Sequence, residues 1–123
     1  MNTSQKKIIL VDDSHYHLAM TKEKLKGQYE VYPAQSAEIL FEVLGKITPD
    51  LILLDVNMPG TDGFETIEKL KSDARYAGIP VIFLAAKHDM ITTNRGLALG
   101  AAAFMKKPFN DAELLDCIAK HIN

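Results

Sequence analysis

Leu51-Ile52-Leu53-Leu54, followed at once by Asp55, constrains this chain more than any other stretch. Four branched aliphatic residues with no polar alternation call for a strand covered on both faces, because a half-exposed strand would alternate apolar with polar. The run stops at Asp55, so a carboxylate is expected at the carboxyl end of the strand, where the sheet opens to solvent. Met58-Pro59-Gly60 follows as turn chemistry. The plain reading of Asp55 is a strand-ending residue that caps the next turn. The sharper reading is a reactive carboxylate at the mouth of a buried strand.

The rest of the chain repeats this unit. Ile8-Ile9-Leu10-Val11 is a second buried run, ending in Asp12-Asp13-Ser14. Ser14 suits the N-cap of a helix over 15–26 with Leu18 and Leu25 on one face, and Gly27 suits its end. Residues 29–32 read as a short strand before Pro33. Ser36 precedes a helix in which Ala37, Leu40, Phe41 and Leu44 fall at i, i+3, i+4 and i+7, closed by Gly45. Asp62 and Glu65 have capping-box spacing ahead of Phe64, Ile67 and Leu70. After a loop over 72–78, residues 79–85 predict a strand with Pro80 near its start. A helix over 89–99 has a poorly defined apolar face and is interrupted by Gly96. Residues 101–105 predict a short strand. Asn110 and Glu113 have a second capping-box spacing, before a helix faced by Leu114, Leu115, Ile118 and Ile122.

Strand then helix, five times over with short connections, demands a parallel sheet with helices on both faces. The 123 residues make one domain, 1–123, with no linker or repeat. The expected arrangement is a three-layer, doubly wound, flavodoxin-like α/β sheet of order 2-1-3-4-5. The formal net charge of -2 leaves no footprint for nucleic acid or an anionic membrane, and Lys6-Lys7 is a pair, not a patch. The apolar run 8–11 is too short for a signal peptide or a membrane span, so a cytoplasmic protein is expected. Cys117 is the one cysteine, which rules out a disulfide within the chain. It reads as a small buried hydrophobe more readily than as a catalytic thiol.

In that strand order the topological switch point lies between strands 1 and 3, and ligands bind outside the carboxyl ends there. Strand 1 ends at Asp12-Asp13, strand 3 at Asp55 and strand 5 at Lys106-Lys107. Three carboxylates and at least one ammonium thus converge on one crevice. Like charges at close range cost energy unless a cation offsets them. Lys107 supplies one charge, and a hard divalent ion such as Mg²⁺, held by one or two carboxylates, a backbone carbonyl and waters, supplies the rest. The alternative is a solvated acidic rim with no ligand. No Gly-rich loop follows strand 1, and its two carboxylates would repel a nucleotide phosphate. Phosphate is welcome only with metal and lysine both present, which points to Asp55 as a nucleophile that receives a phosphoryl group.

Val11-Asp12-Asp13-Ser14, Asp55-Val56-Asn57-Met58-Pro59-Gly60 with Asp62-Gly63, Ile79-Pro80-Val81-Ile82 and Lys107-Pro108-Phe109 together resemble the receiver domain of two-component response regulators, most like its stand-alone chemotaxis form. The likeness covers nearly the whole chain. It implies that Asp55 accepts phosphoryl from a sensor histidine kinase or a histidine phosphotransfer protein. It implies that Asp13 ligates Mg²⁺ directly, that Asp12 supports the ion through water, and that Asn57 offers its backbone carbonyl. It implies that Lys107 contacts Asp55 and then the phosphoryl oxygens, that the Lys107–Pro108 bond is cis, and that Phe104 is the aromatic switch residue. The helix 4, strand 5, helix 5 face is the implied site for a downstream protein partner and for a homodimer. The chain ends after the fifth helix, as a stand-alone regulator or an excised domain would.

One position departs from the resemblance. Where the family usually has Thr or Ser at the end of strand 4, this chain has Ala85, in Leu84-Ala85-Ala86-Lys87. The hydroxyl that bonds a phosphoryl oxygen and draws in the following loop is missing, and Thr92 and Thr93 lie too far along the chain to replace it. This weakens switching more than phosphorylation. It also leaves room for a phosphorylation-independent adaptor. An aspartate-nucleophile phosphatase fits less well, because position 57 is Asn and cannot serve as acid or base. His15 and His17 face different sides of a helix and form no metal pair; His15 is the one expected near the acidic pair. His88 and His121 read as surface residues.

Overall fold

The computed structural model describes residues 5–56, 63–85, 90–107 and 109–122, with the side chains of 90–92 left undescribed. Asn57, the turn at 58–60, the Asp62 half of the first capping box, Ala86, Lys87, His88 and the Lys107–Pro108 bond lie outside these residues.

Ten elements alternate along the chain: β1 Lys6–Val11, α1 His15–Leu25, β2 Tyr29–Ala34, α2 Ala37–Leu44, β3 Leu51–Asp55, α3 Gly63–Ser72, β4 Val81–Ala85, α4 Met90–Ala98, β5 Ala103–Lys106 and α5 Asp111–His121. The strands form one five-stranded sheet of order β2-β1-β3-β4-β5. Every pairing is parallel. The expected order therefore holds, and β1 and β3 lie side by side with Val11 opposite Leu54.

Side-chain alternation sorts the core into two halves. Ile8, Leu10, Leu51, Leu53, Ile82, Leu84 and Met105 pack with Leu18 and Leu25 of α1 and Leu114 and Ile118 of α5. Ile9, Val11, Ile52, Leu54, Val81 and Phe83 pack with Leu40 and Leu44 of α2 and Ile67 and Leu70 of α3. Both faces of β3 are covered, which is why its sequence is an unbroken aliphatic run. Local caps hold the helices as their sequences predict. Ser14 accepts from the His17 N–H, Ser36 accepts from Ile39, and Asn110 and Glu113 complete a reciprocal box on α5.

Several details differ from expectation; β1 starts earlier, at Lys6, and β4 starts at Val81, two residues after the expected 79. β2 does not stop before Pro33 but runs through it to Ala34, with Pro33 opposite Leu10. β2 is an edge strand, so a residue without an N–H can face outward there at no loss. β5 starts at Ala103, two residues after the expected 101, because Ala101 N–H bonds the Gly96 carbonyl while Gly100 turns the chain at φ +111°. Gly96 does not interrupt α4; it lies buried within it. A Cβ at Gly96 would stand 2.7 Å from two ring carbons of Phe83, so glycine is what lets the helix seat on β4.

Candidate functional site

The rows that face α1 and α5 run to, or just past, the carboxyl ends of their strands. Ile8 and Leu10 lead to Asp12, Leu51 and Leu53 to Asp55, and Ala103 and Met105 to Lys107. Period-two alternation thus delivers two carboxylates and an ammonium to the same side of the same sheet edge. The ends meet. The Lys107 Nζ donates to Asp55 Oδ2 at 2.9 Å and lies 3.4 Å from Asp12 Oδ2. The Lys107 N–H donates to the Ala85 carbonyl at 2.6 Å, tying the start of the β5–α5 connection to the end of β4.

Asp55 is only 3% exposed, as is Asp12. The expectation that Asp55 opens to solvent is corrected: it is the last residue of β3, yet Val56 continues the sheet by bonding Leu84, and the neighbouring strand ends close over it. Asp12 lies just beyond β1. Its N–H bonds the Ala34 carbonyl, its Oδ1 accepts from Ser14 N–H at 2.9 Å, and its Oδ2 faces Lys107. Asp13 is exposed.

Asp12, Asp13 and Asp55 each offer a carboxylate oxygen within 4.8 Å of the others. Oxygens on opposite sides of a hard cation with bonds of about 2.1–2.5 Å stand about 4–5 Å apart, so the three groups fit one small divalent ion. Burial strengthens the case. Two carboxylates at 3% exposure share one ammonium in a poorly solvated place, which favours a further cation beside them.

His17, not His15, approaches the acids: its Nδ1 is 3.5 Å from Asp12 Oδ2, while His15 turns to the Gln35 side chain at 2.8 Å. The signal was present in the cap. Ser14 as N-cap makes His17 the third residue of α1, and helical side chains lean back toward the N-terminus, over the acids.

The Ala85 row runs on the other face. Ala85 is buried, pairs with Lys106 and continues Val81 and Phe83 toward the α3 and α4 side. There Phe64, Phe83 and Phe104 form an edge-to-face row, with centroids 5.5 and 6.4 Å apart. The Arg95 guanidinium lies 4.3 Å above the Phe64 ring. Phe104 is half-buried at the end of that row. Thr93 lies on α4. It is one turn before Gly96 on α4, on roughly the same helix face, and its Oγ1 is buried without a hydrogen-bond partner among the described residues. Cys117 is half-buried; burial pushes its thiol up from the ordinary range, away from a reactive thiolate.

A family model described as the response regulator receiver domain matches residues 8–119. The chain is 34% identical over 119 residues to a probable cyclic di-GMP phosphodiesterase of Vibrio cholerae, covering 97% of this chain and 27% of that protein. It is 37% identical over 109 residues to the response regulator PleD of Caulobacter vibrioides, covering 88% of this chain and 24% of PleD. The chain therefore spans about a quarter of these two relatives. Its fold matches the chemotaxis protein CheY4 of Vibrio cholerae with a TM-score of 0.91 at 29% identity, covering 97% of this chain and all of CheY4. It matches a CheY-like receiver domain protein of Methanospirillum hungatei at 0.87 and 30% identity, covering 95% and 93% of the two chains.

Proposed function

The chain belongs to the response regulator receiver domain family of two-component systems, and from that premise we propose that residues 1–123 form one phosphoacceptor domain in which Asp55 takes a phosphoryl group from a histidine kinase or a histidine phosphotransfer protein. The observation that carries this reading is the 2.9 Å contact of the Lys107 ammonium with the buried Asp55 carboxylate, with Asp12 and Asp13 beside it.

An Asp55 oxygen attacks phosphorus as the phosphorus–nitrogen bond of the donor breaks and the imidazole departs. In hydrolysis, water attacks phosphorus, the phosphorus–oxygen bond to Asp55 breaks, inorganic phosphate leaves and the carboxylate returns. Lys107 first holds Asp55 and then faces the transferred phosphoryl oxygens. Asp13, Asp55 and the Asn57 carbonyl would hold Mg²⁺, with Asp12 behind a bound water. When bound, the ion supplies charge neutralisation and alignment for phosphoryl transfer. The chain catalyses only its own phosphorylation and dephosphorylation and turns over no separate substrate.

Phosphorylation changes the face made by α4, β5 and α5, where Phe104 lies, and a downstream partner or a second copy docks there. Nucleic acid and lipid are not partners in this reading. Among the described residues no helix is long and apolar enough to cross a membrane. The location in this reading is cytoplasmic. Ala85 favours a second reading, an adaptor that needs no phosphate.

Intact mass after incubation with acetyl phosphate and Mg²⁺ tests the assignment. One phosphoryl group should be added to the wild type and none to Asp55→Asn. Mass retained in the variant overturns Asp55; no mass on the wild type, with a partner still bound, supports the adaptor.

A further inference from the structure

Among the described residues the buried hydroxyl of Thr93 has no hydrogen-bond partner, and it is the only such side-chain atom. A buried polar atom left unpaired raises the energy of the state that holds it, relative to any state in which it is paired. Its position in the fold says which motion could pair it. Gly96, one turn further along α4, rests on the Phe83 ring so closely that even a Cβ would meet it at 2.7 Å. Phe83 is fully buried and is flanked by Phe64 and Phe104. That contact fixes where α4 meets β4. On its C-terminal side, Leu99 and Ala101 pack into the core, and the Ala101 and Ala102 N–H groups bond Gly96 and Val81. On its N-terminal side lies Thr93, toward the strand ends where Asp55 sits, because a crossover helix starts where the preceding strand stops.

We infer that α4 has two seats on Phe83, that this structure holds the seat in which the Thr93 hydroxyl is unpaired, and that phosphorylation of Asp55 selects a seat in which it is paired. Thr93 is thus a positioning residue for the switch and supplies from α4 a hydroxyl that Ala85 does not supply from β4. It acts through the seat of α4 and not by touching the phosphoryl group. A ligand shifts such an equilibrium only by its differential interaction with the two seats, and the Thr93 hydrogen bond is one part of that difference.

The inference rests on the phosphoacceptor reading, and the test separates the two. Wild type, Thr93→Val and Thr93→Ser are compared by amide NMR with Mg²⁺, with and without beryllofluoride. All three should bind beryllofluoride and shift the signals around Asp55. Thr93→Val keeps the shape but removes the hydroxyl. Without beryllofluoride it should melt higher than wild type, and with it the ratio of the responding to the resting α4 seat should fall about tenfold, the effect of one hydrogen bond to a polar partner. Thr93→Ser should respond as wild type does. Equal responses in wild type and Thr93→Val, or a Thr93→Val that melts no higher, overturn the inference while leaving the phosphoacceptor reading intact. No uptake of beryllofluoride by wild type overturns both.

Discussion

The Lys107 ammonium donates to the Asp55 carboxylate at 2.9 Å across 52 positions of chain, and both groups lie at the edge of a closed crevice. The same nitrogen stands 3.4 Å from Asp12, so one cation serves two carboxylates that are each 4% exposed at the side chain. Removing one partner of a buried ion pair leaves the other uncompensated, at a cost of about 3–5 kcal/mol. Lys107→Met should therefore lower the stability measured by urea unfolding in EDTA by about 3 kcal/mol. Mg²⁺ should restore part of that loss, because an ion that binds only the folded state adds to its stability. An unchanged midpoint would show that the ammonium does not stabilise the carboxylates.

Asp12 and Asp13 are adjacent in sequence but differently held. Asp12 is buried with both oxygens engaged, by Ser14 N–H and by Lys107 and His17, whereas Asp13 is exposed and freer to bind an ion. Asp13→Ala should weaken Mg²⁺ binding by calorimetry more than Asp12→Ala does. Asp12→Ala should have the larger effect on the melting temperature. Reversed Mg²⁺ affinities would exchange the two roles.

Gly96→Ala introduces a methyl 2.7 Å from the Phe83 ring, which no real contact tolerates without a shift. Overpacking of this kind costs about 1–3 kcal/mol, more than the helix propensity gained. The variant should melt lower than wild type. Phe83→Leu in the Gly96→Ala background should recover part of the loss, and a double-mutant cycle should return a coupling of about 0.5–3 kcal/mol. Additive effects would mean that helix and ring do not press on each other.

Ala85→Thr places a hydroxyl at the end of β4, in the row that leads from Val81 and Phe83. A hydrogen bond to a charged group is worth about 1.5–3 kcal/mol, enough to bias a two-state switch tenfold or more. With beryllofluoride and Mg²⁺, the Phe104 ring signals should move further in this variant than in wild type. Equal movement in both would show that position 85 does not limit the response.

Sequence by itself determined the alternation of elements, the strand order they imply, the caps at Ser14, Ser36 and Asn110, and the strand ends on which Asp12, Asp55 and Lys107 ride. Those features follow from periodicity and from hydrogen bonds a few residues long, so they are legible in order along the chain. Tertiary structure decided the rest. Gly96 reads in sequence as a break in a weak helix, and only the Phe83 ring behind it makes glycine necessary. Pro33 reads as the end of a strand, until β2 proves to be an edge. The burial of Asp55, the approach of His17 to Asp12 and the unpaired hydroxyl of Thr93 each depend on what a different part of the chain places nearby. Local pattern carries the direction and period of a side chain but not the identity of its neighbour, which is settled when distant segments pack together.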